Sequence, residues 1–367
     1  MRLILDPKAL RPYGDAFRLW QGIPSVEVTH GGRIFVTFYS GGRSEEAGNF
    51  CLLVESRDGG MTFSPPVAVV APDLASRCFD PCLWTDPRGR LWWTVNEAPA
   101  GKTVGYICDS PDRDPLVFSA PVVIGGEVMM NKPTVTRSGD WLFPVAVWSE
   151  GLKNPFPSAA RDRRPFVYRS RDEGRTFQRL SGPVVEDRSY DEHMLLEKKD
   201  GTLVLYSRTK YGIAKSISRD GGETFSPGAD SGIPGPSSRF FIRALPSGAW
   251  LMINHVNFTK RNNLAALISF DEGETWQGPL MLDERPSVSY PDAALMPDGS
   301  VLAVYDRERG CFKPSEADAL ASAREILLCR FFPEDIPGGK ATRPGSFFRR
   351  VVNKLTVYQG PDLFGDG

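Results

Sequence analysis

The sequence is poor in the residues that mark metal and redox centres. It holds only three histidines, and its six cysteines form no Cys-x-x-Cys pair. Cys78 and Cys82 lie in Cys78-Phe79-Asp80-Pro81-Cys82 without the second pair that a zinc site needs. The expected state of Cys51, Cys78, Cys82, Cys108, Cys311 and Cys329 is a buried free thiol in an apolar run. No Gly-rich loop is placed between a strand and a helix to hold phosphate, so neither metal nor cofactor is expected. Charge of one sign is missing too: 44 Lys and Arg face 45 Asp and Glu, with no basic run interleaved with aromatics, which argues against nucleic acid and anionic membrane as partners. No apolar stretch is long enough to cross a bilayer, and residues 1–10 lack both the apolar core and the small-residue cleavage site of a secretory leader. A cytoplasmic location is expected for the chain as given, and a secreted or periplasmic one if a leader has been removed.

Long helical stripes are also missing. In their place are 36 glycines, 31 prolines and 11% aromatic residues, a balance that favours many short strands joined by tight turns. The predicted class is all-β.

Two repeats organise those strands. The first is Ser-x-Asp-x-Gly-x-Thr followed by Phe or Trp, and it occurs four times: Ser56 to Phe63, Ser170 to Phe177, Ser218 to Phe225 and Ser269 to Trp276. In each copy the Asp can accept from backbone N–H groups, the Gly can take a positive φ and the aromatic can pack under the turn, so each is a self-contained hairpin. One carboxylate per copy is too few for a calcium loop. The second repeat is a polar cluster, a strand, a Gly-containing turn and another strand. It starts near residues 21, 79, 131, 191, 238 and 289, roughly every 50 to 60 residues, the length of a four-stranded blade. Residues 1–367 therefore form one six-bladed β-propeller. The last blade is expected to close against the N-terminal strand, and residues 338–367 to pack outside as a tail.

A propeller brings matching starts of its innermost strands to one mouth of the channel. The six matched positions are Ile23, Asp80, Lys132, Glu192, Arg239 and Tyr290, of which five are ionisable or phenolic where a packed core would be apolar. A satisfied ring of charges and a functional pocket are both compatible with that set. Taken together the positions favour the pocket.

The four hairpins match the Asp box, and the chain resembles the sialidase superfamily of retaining glycosidases. In that family a tyrosine nucleophile works with a glutamate, an acid/base carboxylate and three arginines that clamp the substrate carboxylate. The resemblance implies Tyr290 in Ser289-Tyr290-Pro291 as nucleophile, Glu192 as its partner, and Arg208 and Arg261 as clamp arms. A phenol suits a carbon that already carries a carboxylate, because it is neutral until a base takes its proton. Arginine suits the clamp because its planar fork binds carboxylate in two places. The family's Arg-Ile-Pro is here Gly22-Ile23-Pro24, so the first arm is missing. Arg239 and Lys132 are the nearest expected substitutes, with Arg18 and Arg43 behind them. The acid/base is expected at Glu46 or Glu45 in the loop after Ser40-Gly41-Gly42, or at Asp80. The resemblance implies an exo-acting hydrolase of a terminal acidic sugar, sialic acid or a relative, with weak action on ordinary sialosides. Two other readings stand beside it: a propeller lyase acting on uronate glycans through His193 or His255 with tyrosine and arginine, and a non-catalytic carbohydrate-binding propeller. All three make a carbohydrate the partner.

Overall fold

The computed structural model describes residues 1–360 apart from 74, 100, 127, 148–161 and 311–321. Its strands form six antiparallel sheets in a β-propeller. From the axis outward, blade one is Trp20–Val28, Ile34–Gly41, Phe50–Ser56 and Ala68–Ala71. Blade two is Arg77–Thr85, Leu91–Ala98, Lys102–Cys108 and Val122–Gly125; blade three is Thr134–Val135, Trp141–Ala146, Pro165–Ser170 and Gln178–Arg179. Blade four is Met194–Glu197, Leu203–Arg208, Ile213–Ser218 and Ala229–Asp230; blade five is Phe241–Ala244, Trp250–His255, Leu264–Ser269 and Gln277–Asp283. Blade six is Val288–Leu295, Val301–Arg307, Glu325–Phe331 and Phe347–Lys354.

The two ends of the chain differ from expectation. Arg2–Ile4 does not pair with the last blade but adds a fifth strand to the outer edge of blade one, on Ala68–Ala71. Blade six takes its outermost strand from the C-terminal segment, whose Phe347–Lys354 pairs with Glu325–Phe331 instead of lying outside the sheets as a tail. The ring closes by packing of faces. Val26, Val36 and Leu52 of blade one share a core with Leu302, Ile326 and Leu328 of blade six. Arg18, wholly buried, spans the seam by donating to Gln21, Ser40 and Asn353. This contact makes Arg18 part of the closure and leaves it no free face toward a ligand.

Each of the four repeated turns joins the third and fourth strands of its blade, in blades one, three, four and five. Their bonding is uniform. In blade four Ser218 Oγ donates to Asp220 Oδ1 at 2.8 Å, and Oδ1 also accepts from Thr224 N at 3.0 Å. Thr224 Oγ1 donates to Asp220 Oδ2 at 2.5 Å, and Gly222 N donates to Ser218 Oγ at 2.9 Å with φ at 93°. These bonds favour the ionised form and hold the acids of Asp172, Asp220 and Asp271 down to about 2. Phe63, Phe177, Phe225 and Trp276 pack from the turns onto the hydrophobic cores. The five described cysteines are buried and free, and Cys311 lies outside the described residues. Among the described residues no cluster could hold a metal ion and no helix is long and apolar enough to cross a membrane.

Candidate active site

One mouth of the channel opens into a cleft of about 680 Å³. Its floor comes from the innermost strands, and a backbone device aims the side chains. Ile23, Asp80, Glu192 and Tyr290 all have φ between 42° and 57°, a left-handed conformation that residues with a Cβ seldom adopt. In blades one, two and six this residue sits at a register shift between the first two strands: Gly22/Ser25, Phe79/Cys82 and Ser289/Asp292. All four line the cleft.

Tyr290 and Glu192 form its centre. The phenol donates to Glu192 Oε1 at 2.6 Å, while Arg208 Nη1 donates to the same oxygen at 2.7 Å and to the phenol oxygen at 3.1 Å. The second oxygen of Glu192 is buried without a hydrogen-bond partner. Burial pushes the Tyr290 phenol up to about 12, with the Glu192 charge adding to the rise and Arg208, Arg261 and Arg309 opposing it. Ionising the phenol therefore needs a base in contact, and Glu192 is in contact. Arg261 lies over the Tyr290 ring at 5.4 Å, and its Nη2 makes a long bond of 3.4 Å to the Ser237 carbonyl. Burial lowers the pKa of Arg261, the mark of a cation short of a counter-charge.

Asp80 is buried in the cleft wall with Oδ1 unpartnered. Burial, reinforced by the charges of Glu45 and Glu192, raises its acid to about 8 against the pull of Arg77 and Arg309. Burial thus favours the proton-bearing form of Asp80. Glu45 also lines the cleft, 4.0 Å from Arg77 and 3.6 Å from Arg309.

Several expected site residues lie elsewhere. Glu46 is not in the cleft lining: its carboxylate turns back to accept from Arg43 N at 2.6 Å and closes its own loop. Arg43 is likewise outside the lining. Lys132 and Arg239 face the channel interior, where their charges are already met. Lys132 Nζ donates to the carbonyls of Val26 at 2.7 Å and Leu83 at 2.6 Å and pairs with Glu27 and Asp292. Arg239 donates to Asn131, Pro24 and Met130 and lies 3.7 Å from Asp292. Neither is in the cleft lining, contrary to the expectation that they contact a ligand there. His193 Nε2 bonds to the Phe166 carbonyl at 2.7 Å, burial drops its pKa to about 3, and it is not in the cleft lining, so it is placed neither to bind substrate nor to abstract a proton there. His255, bonded through Nδ1 to Asn262 O at 2.8 Å, is also outside the lining.

Sequence reasoning missed Arg309. It follows the second strand of blade six, lines the cleft and stacks 4.0 Å from the Tyr290 ring centroid. A signal was present: Arg208 ends the second strand of blade four, and Arg309 stands two residues past the end of the same strand in blade six.

The sequence profile described as BNR repeat-like domain matches residues 32–303. None of the curated proteins matches the sequence. Among solved structures, a Hadza microbial sialidase is similar with 19% identity and a TM-score of 0.65, over 80% of this chain and 65% of that one. The intramolecular trans-sialidase from Ruminococcus gnavus, solved with oseltamivir carboxylate, gives 14% identity and a TM-score of 0.61 over 89% of this chain and 96% of that one. An α-L-arabinofuranosidase from Fusarium graminearum gives 11% identity and a TM-score of 0.58 over 86% and 94%. At these identities the likeness is one of fold.

Proposed function

The chain belongs to the BNR repeat-like domain family, and from that premise and the chemistry of the cleft we propose that it is a retaining exo-glycoside hydrolase acting on a terminal acidic sugar, sialic acid or a relative. The observation that carries the reading is the 2.6 Å hydrogen bond from Tyr290 to Glu192 beneath the Arg208 and Arg261 guanidinium groups. Glu192 takes the phenol proton as the Tyr290 oxygen bonds to the anomeric carbon. The glycosidic C–O bond breaks, and its oxygen takes the proton of Asp80, the acid that the site keeps neutral. Water then occupies the leaving-group side and gives a proton to the Asp80 carboxylate as its oxygen bonds to the anomeric carbon. Tyr290 departs and recovers its proton from Glu192. Two inversions give retention. Arg208, in contact with both members of the pair, stabilises the phenolate as it forms. Arg261, cationic and poorly partnered, favours an anionic ligand.

The test is Tyr290→Phe, assayed on aryl glycosides of sialic and uronic acids. Turnover is expected to fall by roughly 10²–10⁴-fold with an unchanged melting temperature. A variant as active as wild type removes Tyr290 from the chemistry, and a wild type that turns over none of the panel while binding the sugars favours a binding propeller.

A further inference from the structure

Gly22 and Arg309 occupy one volume. A Cβ built on Gly22 would lie 2.6 Å from Arg309 Cδ, 2.7 Å from Cγ and 2.9 Å from Nε. No side chain fits at position 22 while Arg309 keeps its pose. That pose is anchored on both sides: the Gln21 N–H donates to the Arg309 carbonyl at 2.8 Å, tying the segment to the innermost strand of blade one. The Arg309 side chain donates from Nε to Asp306 Oδ2 at 2.9 Å and from Nη2 to Ser289 Oγ at 3.2 Å. Asp306 is wholly buried and also accepts from Ile23 N at 2.7 Å and Ser289 Oγ at 2.8 Å, so one carboxylate fixes Arg309, the Tyr290 strand and the bulge of blade one together. The end of the guanidinium lines the cleft, and among the described residues the only acidic group near Nη1 is Glu45, at 3.6 Å. Arg239 has all three of its guanidinium nitrogens on protein acceptors, whereas Arg309 uses two in this way and, among the described residues, keeps Nη1 without a hydrogen bond at the cleft.

We propose that Arg309 is a relocated arm of the anion clamp, reaching the carboxylate of the sugar from blade six through the space that Gly22 leaves open in blade one. The proposal rests on the acidic-sugar reading of the cleft. It adds a specificity-determining residue and predicts that an arginine at 22 and one at 309 are alternatives.

The experiment measures binding instead of turnover. N-acetylneuraminic acid and D-glucuronic acid are each titrated against their methyl esters by calorimetry, with wild type, Arg309→Ala, Arg208→Ala, Gly22→Arg and the double variant Gly22→Arg/Arg309→Ala. Wild type is expected to prefer an acid over its ester, and Arg309→Ala to lose roughly 10- to 100-fold of that preference, the weight of a charge-assisted bond. Gly22→Arg alone is expected to bind worse than wild type or to fold poorly, whereas the double variant regains at least about tenfold of the preference that Arg309→Ala loses. Preference unchanged in Arg309→Ala but abolished in Arg208→Ala refutes the relocated arm and leaves the acidic-sugar reading standing. A wild type that binds no acid more tightly than its ester overturns both.

Discussion

Asp80→Asn separates the acid role of this residue from its structural one. The folded carboxyl titrates at about 8, against an ordinary value of 3.8. Between those two pH values the folded chain holds a proton that the unfolded chain has released. Folding stability therefore falls as pH rises through this window, by at most about 1.4 kcal/mol per unit, and by roughly 5 kcal/mol across the whole span. Asparagine keeps the shape and tolerates the φ of 46° at this position, but has no proton to lose. Urea unfolding at pH 5.5, 7 and 8.5 should show wild type losing stability relative to Asp80→Asn as pH rises, by several kcal/mol between the extremes. Turnover of wild type should fall above about pH 8 as the acid ionises, and Asp80→Asn should be poor at every pH. Parallel stability profiles for the two proteins between pH 5.5 and 8.5 would show that Asp80 ionises normally, and the assignment of the general acid would move to Glu45.

Other perturbations read other parts of the molecule. Asp220→Ala removes the acceptor for Ser218 Oγ, Thr224 N and Thr224 Oγ1 in a solvent-exposed turn, so a loss of about 1–2 kcal/mol in urea unfolding is expected with unchanged turnover per folded molecule; because the Asp220 acid is depressed to about 2, the difference from wild type should be full above pH 4 and shrink as pH falls toward 2. Lys132→Met leaves Glu27 without its cation and Asp292 with Arg239 alone, and about 3–5 kcal/mol should be lost with KM unaltered; a tenfold rise in KM with normal stability would return Lys132 to the substrate site.

The fold was legible because its signals are local and repeated. A turn that bonds within eight residues writes itself into the chain at fixed spacing, and the blade count follows from the second repeat. The closure was not legible in the same way. Which edge Arg2–Ile4 joins depends on pairing with Ala68–Ala71, a long-range choice between apolar edges that no spacing encodes. For the same reason the strand at Phe347–Lys354, which lacks the repeated turn before it, carries no local mark of the blade it completes.

At the site, the six matched positions are equivalent in the sequence repeat, and the backbone divides them. Ile23, Asp80, Glu192 and Tyr290 take left-handed φ and line the cleft; Lys132 and Arg239 are not among the left-handed residues, and their side chains fill the channel behind it. A non-glycine residue in this conformation costs on the order of 1 kcal/mol or more, so four of them at one mouth need surrounding bonds to hold them. Asp306 supplies such a bond directly, since its carboxylate accepts from the N–H of left-handed Ile23 and holds Ser289, the neighbour of left-handed Tyr290. The buried Lys132, Arg239 and Asp292 cluster braces the same strands from behind through Pro24, Val26 and Leu83. The charged repeat thus serves two ends. Blades one, two, four and six turn their residue outward to the cleft, and blades three and five turn theirs inward, where charge is spent on the backbone carbonyls of Pro24, Val26, Leu83 and Met130. A periodic sequence shows where such residues stand, but the four that line the cleft are the four with positive φ, and no pattern of side-chain types announces that angle.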